Sequence, residues 1–223
     1  LASLVMVNVI SPGFPMVFSN WPLVIDLRSG AFAGGGGETL LLNAASAQLS
    51  NWLGLPSGVA CSMTDAKAID AQYGVEKGMT SLAAALAGGN LIYESSGMMA
   101  ALLGVSFEAF VLDDDMHAMT YRTLRGVEVS EENLGFEAIR AAVLSDGHFL
   151  GSAHTYRAME RDYHYPKLAD RTAPETWEDA GGLDIWQRAK QRAREILHTH
   201  HPVYLTAAQE KEIRAAFRIP DLV

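Results

Sequence analysis

Short apolar runs alternate with helical stretches through the first 115 residues, and this alternation limits the fold more than any other feature of the chain. Residues 15–20 (PMVFSN), the run from Gly58 to Met63 (GVACSM), residues 90–93 (NLIY) and residues 107–112 each read as a strand. Strands that are apolar throughout belong to parallel sheets covered on both faces. Between them, Glu38 to Trp52 repeats Leu41, Leu42, Ala45, Leu49 and Trp52 at intervals of three and four, which is helical spacing. Ala71 to Ala87 reads as a second helix, dense in alanine, and residues 98–103 as a short third one. Residues 1–11 read as a buried helix stopped by Ser11, Pro12 and Gly13. The expected class is α/β.

The stretch from Gly58 to Gln72 is where such a fold places chemistry. An apolar strand ends in Cys61, Ser62 and Met63 and breaks into a polar turn carrying Asp65, Lys67, Asp70 and Gln72. In open and closed α/β sheets the carboxyl ends of the strands carry the site. The alternative is that Asp65 and Asp70 cap the helix that follows. Upstream, the long loop from Trp21 to Gly37 holds Asp26, Arg28 and four consecutive glycines, Gly34 to Gly37. Loops of this length in compact domains are commonly functional, and glycines before a helix N-terminus admit an anion closely. Neither a GxGxxG nor a Walker pattern is present, so a nucleotide reading is weak.

Charge divides the chain unevenly. Only three of 17 basic and six of 26 acidic side chains precede residue 105, so the first part is core-like and the second is solvated helix. Helical patterns at 116–125, 131–145, 152–162, 182–198 and 206–217 follow the acidic run Asp113 to Asp115, which reads as a solvated helix N-terminus. The expected organisation is a half-barrel of about four βα units over residues 1–126 and a helical extension over 127–223. Four such units are half of an eight-stranded barrel. A doubly wound sheet stays open, but the missing phosphate fingerprint and the abrupt apolar start at Leu1 favour a cut barrel, and a truncated domain is expected.

A net charge of −9 without a basic cluster argues against a nucleic-acid partner. Residues 1–25 carry no charge, which raises a membrane span or signal peptide. Pro12, Gly13, Pro15, Asn20 and Pro22 interrupt that stretch and no basic segment precedes it, so it reads as soluble core. The single cysteine, Cys61, excludes a disulfide framework and a cysteine-based zinc site, and it fits a reducing, cytoplasmic setting.

The strings VIDLRSGAFAGGGGE, ACSMTDAKAIDAQYGVEKG, LAGGNLIYESSGMM, FVLDDDM, HFLGSAHTYRAM, PKLADR and ETWEDAGGLD follow one another in register along the whole chain. In this order they resemble the C-terminal half of the trimethylamine methyltransferase family. The resemblance implies the C-terminal half of a (β/α)8 TIM-type barrel with a C-terminal helical appendage. It also implies an enzyme that moves a methyl group from a methylated amine to cob(I)alamin, the cobalamin being carried by a separate corrinoid protein. In members acting on trimethylamine, a pyrrolysine precedes the TD or SD of the second string, a place that Met63 takes here. Methionine has no electrophilic imine, so the chain resembles the pyrrolysine-lacking branch and a quaternary amine such as glycine betaine is the expected substrate.

A quaternary ammonium lacks N–H groups and is held by aromatic faces and diffuse negative charge. Phe18, Trp21 and Tyr93 lie at or just beyond strand ends and could supply faces; Asp26, Asp65 and Glu94 could supply charge. Arg28, beside the glycine loop at Gly35, is the candidate for a betaine carboxylate. Attack by cob(I)alamin on a methyl group needs no general base, so Met63, Asp65 and Glu94 would line and bias the reacting centre. Each has a plainer reading: the aromatics as packing, and Arg28 as a local bridge to Asp26. Seven histidines invite a metal, but His198, His200 and His201 sit at a helix end, and His148 and His154 read as a structural link, so no bound metal is expected. A non-catalytic half-barrel that binds the amine or docks the corrinoid protein stays open, as does an unrelated barrel lyase using Asp65 and Lys67 as acid and base. The sheet edges of a half-barrel would favour a homo-oligomer.

Overall fold

A computed structural model describes residues 1–145 and 147–219. A helix, α1 (Ala2–Ile10), precedes the strand β1 (Phe18–Asn20), the helix α2 (Gly37–Trp52), the strand β2 (Ser57–Ala60), the helix α3 (Ala71–Leu86) and the strand β3 (Leu91–Tyr93). The three strands form one parallel sheet in the order β1-β2-β3, with Phe18 opposite Ser57 and Ala60 opposite Tyr93. The architecture is mixed α/β, with the middle strand buried at every residue.

Small side chains bring the helices close to this sheet. Val59 and Cys61 pack with Ala47 of α2 and Ala84 of α3 in one buried cluster. Because side chains alternate along a strand and register partners share a face, Phe18, Ser57, Val59 and Ile92 lie on the helix-covered side. Ser19, Gly58 and Tyr93 lie on the other side, which is exposed at Ser19 and Leu91. Burial pushes the Cys61 thiol up to about 12. The thiolate is the reactive form, so alkylation by iodoacetamide at pH 8 is expected to run on the order of 100-fold slower in the folded chain than in urea. Equal rates would show that this cluster opens readily.

Several expectations are corrected beyond the sheet. Residues 107–112 are not a fourth strand: they open the helix α4 (Phe107–Leu124), which also absorbs the pattern at 116–125. The side chain of Ser106 caps it by accepting the Ala109 N–H at 3.2 Å, and a short apolar run cannot be told from a buried helix segment by periodicity alone. Residues 98–103 do not form a helix. They carry an antiparallel pair, β4 (Met98–Met99) and β5 (Gly104–Val105), joined through Ala100, Ala101 and Leu102, all with left-handed φ of 50°, 55° and 70°. The amides of Ala100 and Ala101 donate to the carbonyls of Ala66 and Thr64, both at 2.9 Å, which removes them from any helical ladder. The helix over residues 1–11 is present but has no buried residue, and Val5, Met6, Val9 and Ile10 are exposed.

The acidic run is likewise not a solvated cap. Asp113 is fully buried in mid-helix, where it pairs with the ammonium of Lys77, accepts the Tyr73 hydroxyl at 2.5 Å and accepts the Gly97 N–H at 2.7 Å. Asp115 turns to the other side and accepts the amides of Lys167, Leu168 and Ala169 at 2.7, 3.2 and 3.2 Å.

The remaining elements of the described chain are helices: α5 (Glu131–Leu134), α6 (Phe136–Leu144), α7 (Ala153–Asp162), α8 (Pro174–Asp179), α9 (Ile185–Thr199) and α10 (Ala207–Ala216). Of these, α9 packs along α4 through Ala189 and Ala193. Among the described residues no helix is long and apolar enough to cross a membrane.

Candidate functional site at the strand ends

The turn that leaves β2 is held from three directions. From α3, Thr80 Oγ1 accepts the Ser62 N–H at 3.1 Å, which fixes a residue whose φ of 60° is left-handed. The Glu76 carboxylate accepts the Thr64 hydroxyl at 2.7 Å and the Asp65 N–H at 2.8 Å, both on Oε2. From the glycine loop, the Gly34 N–H donates to Asp65 Oδ1 at 2.8 Å. The third support is the left-handed turn at residues 100–102, bonded to Thr64 and Ala66. Non-glycine residues with positive φ cluster at functional sites because their surroundings must impose them. Another, Glu94 with φ of 63°, follows β3 directly.

The glycine loop does receive carboxylates, but from within the chain. Gly34 is buried against Met63 and Asp65, and Gly35 is buried under Glu76: a Cβ at Gly35 would stand 2.3 Å from Glu76 Oε2. Asp70, in contrast, takes the capping role, accepting the Tyr73 N–H at 3.1 Å. Lys67 donates to the backbone carbonyl of Asp65 at 2.6 Å while the Asp65 carboxylate faces Gly34, so the two side chains do not meet as an acid and base pair.

Of the aromatic candidates, the fold brings two together. Trp21 meets Tyr93 edge to face, with ring centroids 6.2 Å apart and planes at 80°. The Tyr93 hydroxyl is hydrogen-bonded to Ser19 Oγ across the strand that carries Gly58. Phe18 lies on the helix-covered face, away from this pair. Asp26 and Arg28 pair with each other at a short bend closed by the Ile25 to Phe32 bridge, with Arg28 Nη2 2.6 Å from Asp26 Oδ2. The hydrogen bond from Arg28 holds the Asp26 carboxyl well below the usual range, and the Arg28 side chain is 90% exposed. Met63 is fully buried. A separate cavity of about 500 Å3 between α4 and α9, lined by Phe107, Phe110, Leu168 and Ile196, touches none of these residues.

Sequence reasoning missed Glu76 and the buried group of Tyr73, Lys77 and Asp113. The signal was available on α3, where Tyr73, Lys77, Thr80, Ser81 and Ala84 fall on one face at helical spacing; a lysine on that face must find an acid inside. Burial drives the Lys77 ammonium below its ordinary pKa while Asp113 pulls it upward. Burial, and then the neighbouring carboxylate, push the Tyr73 phenol upward. Among the described residues, no group of three or more His, Cys, Asp or Glu side chains is gathered as for a metal ion.

Comparison with known proteins agrees with the order of motifs. The family described as trimethylamine methyltransferase (MTTB) matches residues 1–218. A glycine betaine methyltransferase of Desulfitobacterium hafniense (strain Y51) is 33% identical over 215 residues, 96% of this chain and 44% of that protein. The trimethylamine methyltransferase MttB of Methanosarcina barkeri is 34% identical over 215 residues, 96% of this chain and 43% of that protein. The MttB of Desulfitobacterium hafniense (strain DSM 10664 / DCB-2) is 34% identical over 204 residues, 91% of this chain and 40% of that protein. The chain therefore spans less than half the length of the curated relatives it matches, and over that span it belongs to the trimethylamine methyltransferase family.

Proposed function

We propose that this chain carries part of the amine site of a methyltransferase acting on a quaternary amine of the glycine betaine kind, with cob(I)alamin on a separate corrinoid protein as methyl acceptor. The observation that carries this reading is the meeting of Trp21 and Tyr93 beside the left-handed Glu94, next to the braced Met63 to Asp65 turn. In it, β1, β2 and β3 are consecutive strands of the C-terminal half of a (β/α)8 barrel. Their sequential parallel order and their helices on one face support that arrangement. The other face, with Ser19, Gly58 and Tyr93, then looks into the barrel.

The chemistry asked of this chain is modest. The corrinoid supplies the nucleophile. Trp21 and Tyr93 offer ring surface to a cation that cannot donate hydrogen bonds, and Glu94 and Asp65 add negative charge. Methionine at position 63 supports a substrate that needs no covalent capture. One relative is named for glycine betaine and another for trimethylamine, so these two amines are the ones to compare.

Calorimetric titration with glycine betaine, tetramethylammonium and trimethylamine tests the proposal directly. Saturable binding of the quaternary amines is expected, with trimethylamine inert, and Trp21→Ala or Tyr93→Ala is expected to weaken it about tenfold. Unchanged affinity in both variants would remove the aromatic pair from the site. One observation favours a second reading, an amine-binding or corrinoid-protein-docking module without turnover: Met63 is wholly buried under Gly34. Binding without methyl transfer to added cob(I)alamin would decide for that reading.

A further inference from the structure

We propose that Glu76 is a positioning residue for the strand-end site, setting the direction of the Asp65 carboxylate from behind. The inference rests on the reading above that the turn from Met63 to Asp65 borders the bound amine. Glu76 reaches the site from α3 and touches both structures that make it. Its Oε2 accepts the Thr64 hydroxyl at 2.7 Å and the Asp65 N–H at 2.8 Å, and presses on the buried backbone of Gly35. Its Oε1 accepts from Gln72 Nε2 at 2.8 Å, which fixes the rotation of the carboxylate.

Position passes from this group to Asp65 in two short steps. The first is the amide bond: Asp65 cannot turn its backbone without leaving Glu76. The second is the loop, because Gly34, whose N–H holds Asp65 Oδ1 at 2.8 Å, is the immediate neighbour of the residue that Glu76 presses upon. Asp65 is thus gripped at its main chain by Glu76 and at its side chain by a loop seated on Glu76. A carboxylate that accepts bonds from two groups of the same turn is worth more as a fixture than either bond alone, and sites of this kind lose function when supporting contacts loosen by about 1 Å. Because Glu76 acts here as an acceptor of hydrogen bonds, an amide oxygen in the place of Oε2 should serve, with Gln72 turning its own amide so that its oxygen accepts from the new NH2.

Amide resonances of the full chain, followed by NMR, and affinity for tetramethylammonium together decide the matter. Glu76→Ala is expected to move the Asp65 amide upfield, to move the Gly34 amide with it, and to weaken tetramethylammonium binding about tenfold. Glu76→Gln is expected to bring both resonances back towards their original positions and the affinity to within about threefold. A Gly34 amide that stays in place in Glu76→Ala overturns the proposal, as does a Gln variant no better than the Ala one. Should Glu76→Ala fail to fold, Gly35→Ala crowds the same side chain from the loop and must shift the Asp65 amide, which is remote from residue 35 in sequence; an Asp65 amide that stays in place there overturns the proposal. If the unmodified chain binds no quaternary amine, the amine-site reading falls, while the two resonances still decide the role of Glu76.

Discussion

Asp113→Ala is expected to destabilise the chain by about 3–5 kcal/mol, since removing one partner of a buried ion pair leaves the other uncompensated. The ammonium of Lys77 is fully buried, and apart from Asp113 its neighbours are the Ser95 carbonyl at 3.4 Å and the Tyr73 ring at 5.1 Å. The Tyr73 hydroxyl and the Gly97 amide lose the same acceptor. In a chain of this size the loss lowers the melting temperature on the order of 10 °C. Thermal unfolding followed by circular dichroism measures it. The double variant Lys77→Met with Asp113→Leu is expected to recover most of the loss, because apolar replacements of a buried pair are often neutral or stabilising. A single variant that melts with the parent chain would show that Lys77 reaches water or sheds its proton at little cost.

Gly35→Ala is the second large effect, about 1–3 kcal/mol of stability, from forcing a methyl group into a filled space. The new Cβ would lie 2.3 Å from Glu76 Oε2, 2.5 Å from its Cδ and 2.9 Å from its Cβ, so swinging the carboxylate aside does not clear the contact. The loss should be strongly non-additive with Glu76→Ala, which removes the colliding atoms beyond Cβ. Additive losses in chemical denaturation would mean that loop and helix do not meet as described.

Much of the sheet was legible because its signals are local. The β2 run, the helices on either side of it and the third strand near 90–93 follow from short apolar runs and helical spacing, with ends within a few residues of those observed. The element at 107–112 is ambiguous in sequence because its apolar residues suit a strand as well as a buried helix, and the choice is made by Ser106 and by partners remote in sequence. The same distance hid the burial of Asp113 and Asp115. Their companions, Lys77 and the amides at 167–169, stand 36 and more than 50 positions away. Carboxylates in a row look solvated until a partner is known.

The placing of the candidate residues was legible by position and less so by contact. The strand ends, the glycine loop and the pairing of Asp26 with Arg28 could be named from residue types and order. That Phe18 and Tyr93 face opposite sides of the sheet depends on register, which three-residue strands scarcely encode. Glu76 carries no signal in sequence because a glutamate on a helix is ordinarily a solvated one; only its approach in space to Thr64, Asp65 and Gly35 gives it a role.

The hold of Asp115 on three consecutive amides makes α4 common property. One face of this helix closes the Lys77 pair against α3, and the other grips residues 167–169 and lies along α9. The shift in charge and composition near residue 105 is thus no seam along which the polypeptide could be parted. A fragment ending after α4 would keep the buried ion pair yet lose the α9 wall of the cavity that Phe107, Phe110 and Val111 line, and strand the Asp115 carboxylate without its donors.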